Sequence, residues 1–158
     1  MKKSILSAIV GFVLGIIFLG GVVFLAAPGL MITEDISPLN YEDTVGAIQE
    51  SAVELGWKVP KTYQLDASVV EAGYDVLPAT VIELCHPDHA GKVLSEDAAR
   101  VVTSLMPCRI AVYETSDGSV IISRMNSGLV SKVFGGTVTE VMSRASAENE
   151  VILSAVLP

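Results

Sequence analysis

The chain has 158 residues, with 18 acidic against 10 basic side chains, a net charge of −8, and 51% apolar residues. So acidic a chain repels phosphate backbones and anionic lipid heads, which argues against a nucleic-acid partner. Beyond an apolar N-terminal run, about 120 residues remain to fold in water, enough for one core.

From Ser4 to Ala27 there is no charged residue. At about 1.5 Å per helical residue this stretch reaches roughly 36 Å, enough to cross a bilayer with some tilt. It reads as a membrane helix, with residues 1–32 as the anchor. The rival reading is a cleaved signal peptide, whose apolar region is usually shorter (about 7–15 residues) and ends in a small-residue cleavage site. Here the small pair Ala26-Ala27 runs into Pro28. Lys2 and Lys3 are the only charges before Glu34, so the positive-inside bias predicts a cytoplasmic N-terminus and an exoplasmic domain, periplasmic or extracellular. Ser7, Gly11 and Gly15 recur every fourth residue, a stripe that permits close approach of two membrane helices and predicts a homodimer or a place in a larger membrane complex.

Residues 33–40, with Asp35-Ile36-Ser37-Pro38, read as a juxtamembrane linker, and residues 41–158 as the folded domain. Asn40 offers an N-cap, Glu42 and Asp43 suit a first helical turn, and Val45, Ile48, Ala52 and Val53 repeat with helical spacing up to Gly56. Residues 57–65 alternate as a strand, with Pro60 arguing for an edge. Asp66 to Ala72 predicts a short helix, and Ala79 to Cys85 an interior strand rich in β-branched residues.

Helical spacing then persists from Ala90 to Leu105, although Ser95-Glu96-Asp97 resembles a fresh N-cap. That choice matters. One unbroken helix makes the flanking strands parallel and puts Cys85 and Cys108 at opposite sheet ends, whereas a break that turns the chain back brings them to the same end. Cys108–Thr115 and Ser119–Met125 predict a hairpin around Asp117-Gly118; pairing Ser116 with Ser119 sets Ile110 opposite Met125 and Cys108 diagonal to it. Beyond Ser127 the pattern gives two helical pieces, Leu129–Phe134 and Val138–Arg144, broken at Gly135-Gly136, and a last apolar stretch, Val151–Leu157, as helix or edge strand.

The order strand, Cys85-His86-Pro87, helix, Met106-Pro107-Cys108-Arg109-Ile110-Ala111-Val112-Tyr113-Glu114, Asp-Gly hairpin, Ile122-Ser123-Arg124-Met125-Asn126, then Phe134-Gly135-Gly136 resembles the domain of unknown function 302 family. The resemblance runs from Val45 to Met142 and implies homodimeric domains without an established activity. It implies Cys-Asn-Pro where this chain has Cys-His-Pro. The expected fold is a small two-layer α/β (α+β) domain with roughly four strands behind one membrane helix.

The chemistry concentrates in Cys85, His86, His89, Met106, Cys108 and Met125, all soft or borderline donors. The spacing matches neither a two-cysteine zinc pair nor Cys-x2-Cys-His haem attachment. Three readings stand: buried small hydrophobes, a structural disulfide, or a metal site, with copper or haem the cofactors if there is one. Glu83, Asp88, Glu96 and Asp97 sit at helix starts or strand ends, where caps are the ordinary role, and Gly135-Gly136 lacks a phosphate-loop frame. The reading favoured is a membrane-tethered, non-catalytic binding or accessory domain without a cofactor. A redox or soft-metal protein using Cys85 and Cys108 is the alternative.

Overall fold

The computed structural model describes the backbone of residues 2–157 and the side chains of residues 10–157. Helix α1 (Lys2–Met31) runs through Pro28 rather than ending there. Its segment Val10–Met31 is long and apolar enough to cross a membrane by length and composition. Gly11 and Gly15 open onto empty space, while the side chain of Ser7 lies outside the described residues.

Five strands form one antiparallel sheet: β1 (Ile32–Ile36), β2 (Thr62–Gln64), β3 (Ala79–Leu84), β4 (Cys108–Glu114) and β5 (Val120–Met125), in the order β1-β5-β4-β3-β2. The fifth strand is β1, whose residues read as linker from the sequence. Ile32 pairs with Met125 and Ile36 with Ile121. A linker is polar and turn-rich, and Asp35 with Ser37-Pro38 gives that impression. In the fold, alternate positions of this segment, Thr33 and Asp35, oppose Arg124 and Ile122, so the acidic residue earns its place by pairing with a cation.

Helices α2 (Tyr41–Glu54) and α6 (Gly136–Leu153) cover one face of the sheet. Asn40 caps α2 as its side-chain oxygen accepts the Asp43 N–H at 2.9 Å. Ile48 and Ala52 then meet Ile82, Leu84, Ile110, Val112, Ile122, Ile152 and Leu153 in the core. The break at Gly135-Gly136 is present: α6 starts after Gly135, at φ 73°, and runs without interruption to Leu153, so Val138–Arg144 and Val151–Leu153 share one helix and the last stretch is not an edge strand. Short helix α3 (Leu65–Glu71) follows β2. Lys58 bridges Cys85, and Glu83 donates its N–H to the Lys61 carbonyl, which leaves Val59 and Pro60 opposite Leu84 alone. Pro60, with no N–H to give, thus occupies a bulge on the edge side.

The chain breaks at Ser95. Helix α4 (Pro87–Leu94) ends as the Ser95 hydroxyl donates to the Gly91 carbonyl at 2.6 Å, and a 3-10 turn, Ala99–Leu105, returns the chain to β4. Strands β3 and β4 are therefore antiparallel, with Leu84 opposite Cys108. The β4–β5 hairpin holds Asp117-Gly118 at its tip, but Thr115 pairs with Ser119 across a three-residue loop, with Gly118 at φ 84°. Ile110 therefore opposes Arg124, not Met125. One step of register exchanges the faces of β5: Arg124 turns inward, and Met125 turns to the opposite face.

The inward Arg124 is 8% exposed and triply held. Its Nε and Nη2 donate to both Glu150 oxygens at 2.8 and 2.7 Å, and Nη1 donates to Asp35 at 2.6 Å. These bonds join β1, β5 and α6, and the Glu150 hydrogen bonds, working against burial, hold the guanidinium charged. Removing the cation strands two carboxylates, but both are partly exposed and can rehydrate. Arg124→Ala is expected to lower the unfolding free energy by about 2 kcal/mol, below the range for fully buried pairs. Glu150→Gln should cost less; urea denaturation of the two variants measures the order.

Candidate functional site

Because β3 ends and β4 begins at the same end of the sheet, Cys85, His86 and Cys108 converge there. His86 is the N-cap residue of α4, in extended backbone that leads directly from β3, and Pro87 is pre-set for the first helical turn. His89, one turn into α4, is 8% exposed. The two imidazoles face each other with centroids 4.6 Å apart, and Trp57, 2% exposed, meets both edgewise at 5.5 and 5.7 Å.

Glu148 on α6 ties this aromatic group together. One carboxylate oxygen accepts from His89 Nε2 at 2.9 Å and from the Trp57 indole N–H at 3.2 Å, and the other faces Arg144 Nε at 3.3 Å. Burial works to raise the Glu148 carboxyl; the His89 hydrogen bond and charge, the charge of His86 and the indole N–H outweigh it and hold the group below its usual range.

Behind the imidazoles lies a cavity of about 40 Å3 lined by Cys85, His86, His89, Met106, Cys108 and Met142, among other residues. The cysteines are free thiols. Burial pushes the Cys108 thiol up, only partly offset by a hydrogen bond from Asn149, and the neighbouring Cys85 pushes in the same upward direction. Cys108 is thus a protonated, weakly nucleophilic sulfur at neutral pH. Among the described residues, two buried side-chain polar atoms have no hydrogen-bond partner: His86 Nδ1, and Oδ1 of Asn149, the residue that meets Cys108.

Five of the six donors singled out in the sequence line this small cavity. Met125, paired with Ile32, lines instead an adjoining cavity of about 290 Å3 at the same sheet end, which it shares with Cys108, Met142 and Asn149. Trp57, Glu148, Met142 and Asn149 join the site without having been singled out. Trp57 is the only tryptophan, and Glu148 falls four residues after Arg144 on a helix, but neither signal connects them to residues 59–91 positions away. Of the carboxylates weighed, Glu83 is held by Tyr63 at 3.2 Å and Arg109 at 3.3 Å, on the sheet rather than in the cavity. Among the described residues no group of three or more His, Cys, Asp or Glu is placed to hold a metal ion.

A two-layer α+β domain with a five-stranded antiparallel sheet, and a cluster of thiols, thioethers and imidazoles at one sheet end, defines the class. The family model for the domain of unknown function DUF302 matches residues 32–156, and the chain belongs to that family. It is similar in fold to the crystal structure of an uncharacterized conserved DUF302 protein from Bacillus stearothermophilus, with a TM-score of 0.72 and 19% identity over 80% of this chain and 98% of that one. No curated protein matches it significantly. The match from residue 32 agrees with β1 being part of the domain.

The lowered Glu148 carboxyl stabilises the fold wherever it is ionised. Its contribution is fully present above the unfolded value, about 4.3, and is lost as pH falls through the lower folded value. Glu148→Gln should therefore lose stability at pH 6 and show a shallower decline between pH 4.5 and 3 than the wild type, as followed by Trp57 fluorescence in urea titrations at about these pH values.

Proposed function

We propose that the protein is a membrane-tethered, exoplasmic binding or accessory domain, non-catalytic, whose ligand site is the His86–His89–Trp57–Cys108 end of the sheet. The observation that carries this is the pair of buried polar atoms left without partners, His86 Nδ1 and Asn149 Oδ1. Native interiors rarely leave such atoms unpaired. His86 lines the small cavity and Asn149 the adjoining one of about 290 Å3 that shares Cys108 and Met142, so hydrogen-bonding capacity held open at these cavities suits a ligand that supplies the missing partners.

The same geometry speaks against catalysis. Both oxygens of Glu148 are engaged by His89, Trp57 and Arg144, so it is a poor general base, and the Cys108 thiol is shifted away from the thiolate a nucleophile needs. Lys2 and Lys3 before the apolar helix support the exoplasmic placement of the domain. Self-association completes the reading: the Ser7-Gly11-Gly15 stripe permits helix pairing, and paired anchors hold two domains at an effective concentration near ~1 mM, where weak domain contacts are occupied.

A second reading has its own observation, the meeting of Cys85 and Cys108 at neighbouring positions across β3 and β4. A dithiol flanked by Met106 and Met142 suits disulfide exchange or a single copper(I) ion, which accepts two soft ligands.

Mass spectrometry of the detergent-purified chain with and without reductant and chelator, joined to a visible spectrum, separates the two readings. Binding without redox chemistry predicts an unchanged intact mass and no visible band. A gain of two hydrogens on reduction, or copper lost to chelator, would move the assignment to the second reading.

A further inference from the structure

The register of the sheet has a spatial consequence for the membrane. Helix α1 passes into β1 without an intervening loop, and the Met31 carbonyl accepts the Asn126 N–H at 2.8 Å. Met31 therefore lies beside the end of β5 and the short helix α5 (Ser127–Val130) that follows it. Val10–Met31 spans 22 residues, about 33 Å as a helix, against a hydrocarbon core of about 30 Å. With this segment crossing the bilayer, Met31 falls at the boundary between acyl chains and headgroups.

The chain beside that boundary is apolar and unshielded. Val133 is 86% exposed, Phe134 44%, Leu129 37% and Met31 47%. Met31, Leu129, Val130, Lys132 and Val133 line one open groove. In water this arrangement loses hydrophobic free energy. Against a bilayer the apolar side chains enter the acyl boundary, and Lys132 can extend its ammonium to the lipid phosphates.

We infer that α5 and the 3-10 turn Ser131–Val133 form an interfacial membrane contact, with Leu129, Val133 and Phe134 in the upper acyl region of the bilayer that α1 crosses. This inference rests on α1 being retained as a membrane span. The contact gives the domain a second point of attachment beside α1. It also sets the orientation of the candidate site: β1 begins, β5 ends, β4 begins and β3 ends at one end of the sheet, so Cys108 lies two strands from β1, about 10 Å away. The thiol and imidazole cluster consequently faces the membrane side of the domain, within reach of ligands or partners at the bilayer surface.

The test uses the full chain in phosphatidylcholine vesicles carrying bromines high on the acyl chains, which quench tryptophan on contact. Val133→Trp adds a reporter at a position open enough to accept it, Ser116→Trp places one at the hairpin tip on the opposite sheet end, and the wild type supplies the Trp57 baseline. The added Val133→Trp emission should fall about twofold in brominated vesicles, while that of Ser116→Trp is unchanged. Co-flotation with vesicles after alkaline carbonate reads the anchor separately. A chain that floats but whose Val133→Trp emission is not quenched overturns the interfacial contact and leaves the anchor standing. A chain released by carbonate overturns the anchor and the contact with it.

Discussion

The reversal of the chain between β3 and β4 is the constraint on which the site depends. Cys85 and Cys108 are separated by 22 intervening residues, enough for a helical crossover into a parallel strand. Eight residues of α4, the Ser95 hydroxyl bonded back to Gly91 and the 3-10 return through Ala99–Leu105 bring the chain back to the end it left. Were the helix continuous, the two thiols would sit about 20 Å apart and the imidazoles would have no sulfur neighbours. Val93, Ala99, Val102, Val138, Val141 and Met142 form a second apolar cluster that packs this returning segment against α6. The reversal is thereby held by burial as well as by one hydrogen bond.

A second constraint is electrostatic. The one-residue hairpin register that turns Arg124 inward would be unfavourable for an unpaired cation, and it is satisfied because β1 supplies Asp35 and α6 supplies Glu150. The edge strand β1 that follows the apolar helix α1 and the helix that carries Glu148 are therefore fixed to each other through the same guanidinium. Since Glu148 and Glu150 lie two residues apart on α6, one helix carries an ion pair at the β1 edge of the sheet and orders the His89–Trp57 pair beside the cavity.

Much of this was legible from the residues, and the failures have physical causes. Helix α2, the interior strand β3, the edge character of β2 and the Asp117-Gly118 hairpin follow from capping, β-branching and turn chemistry, all local effects. Strand β1 was illegible because its pattern has meaning only beside Arg124, far along the chain. The hairpin register was missed for a similar reason: an Asp-Gly turn fits two-residue and three-residue loops, and only the burial of Val120 and Ile122 of β5 in the core under α2 and α6 selects between them. Met125 was expected diagonal to Cys108 on one face; it lies on the opposite face and shares with Cys108 only the cavity at the sheet end. Trp57, Glu148 and Asn149 reach the site through tertiary contacts alone, and no local pattern marks them.

The claim that everything else leans on is the convergence of two thiols at one sheet end. Intramolecular crosslinking of the reduced chain with dibromobimane, which becomes fluorescent only when both its bromines are displaced by nearby thiols, measures it directly. The antiparallel arrangement with Leu84 opposite Cys108 predicts a fluorescent monomeric adduct whose peptide map joins Cys85 to Cys108, and its loss in Cys85→Ser and Cys108→Ser. Single-site adducts on both cysteines with no joined peptide would contradict it and restore the parallel crossover.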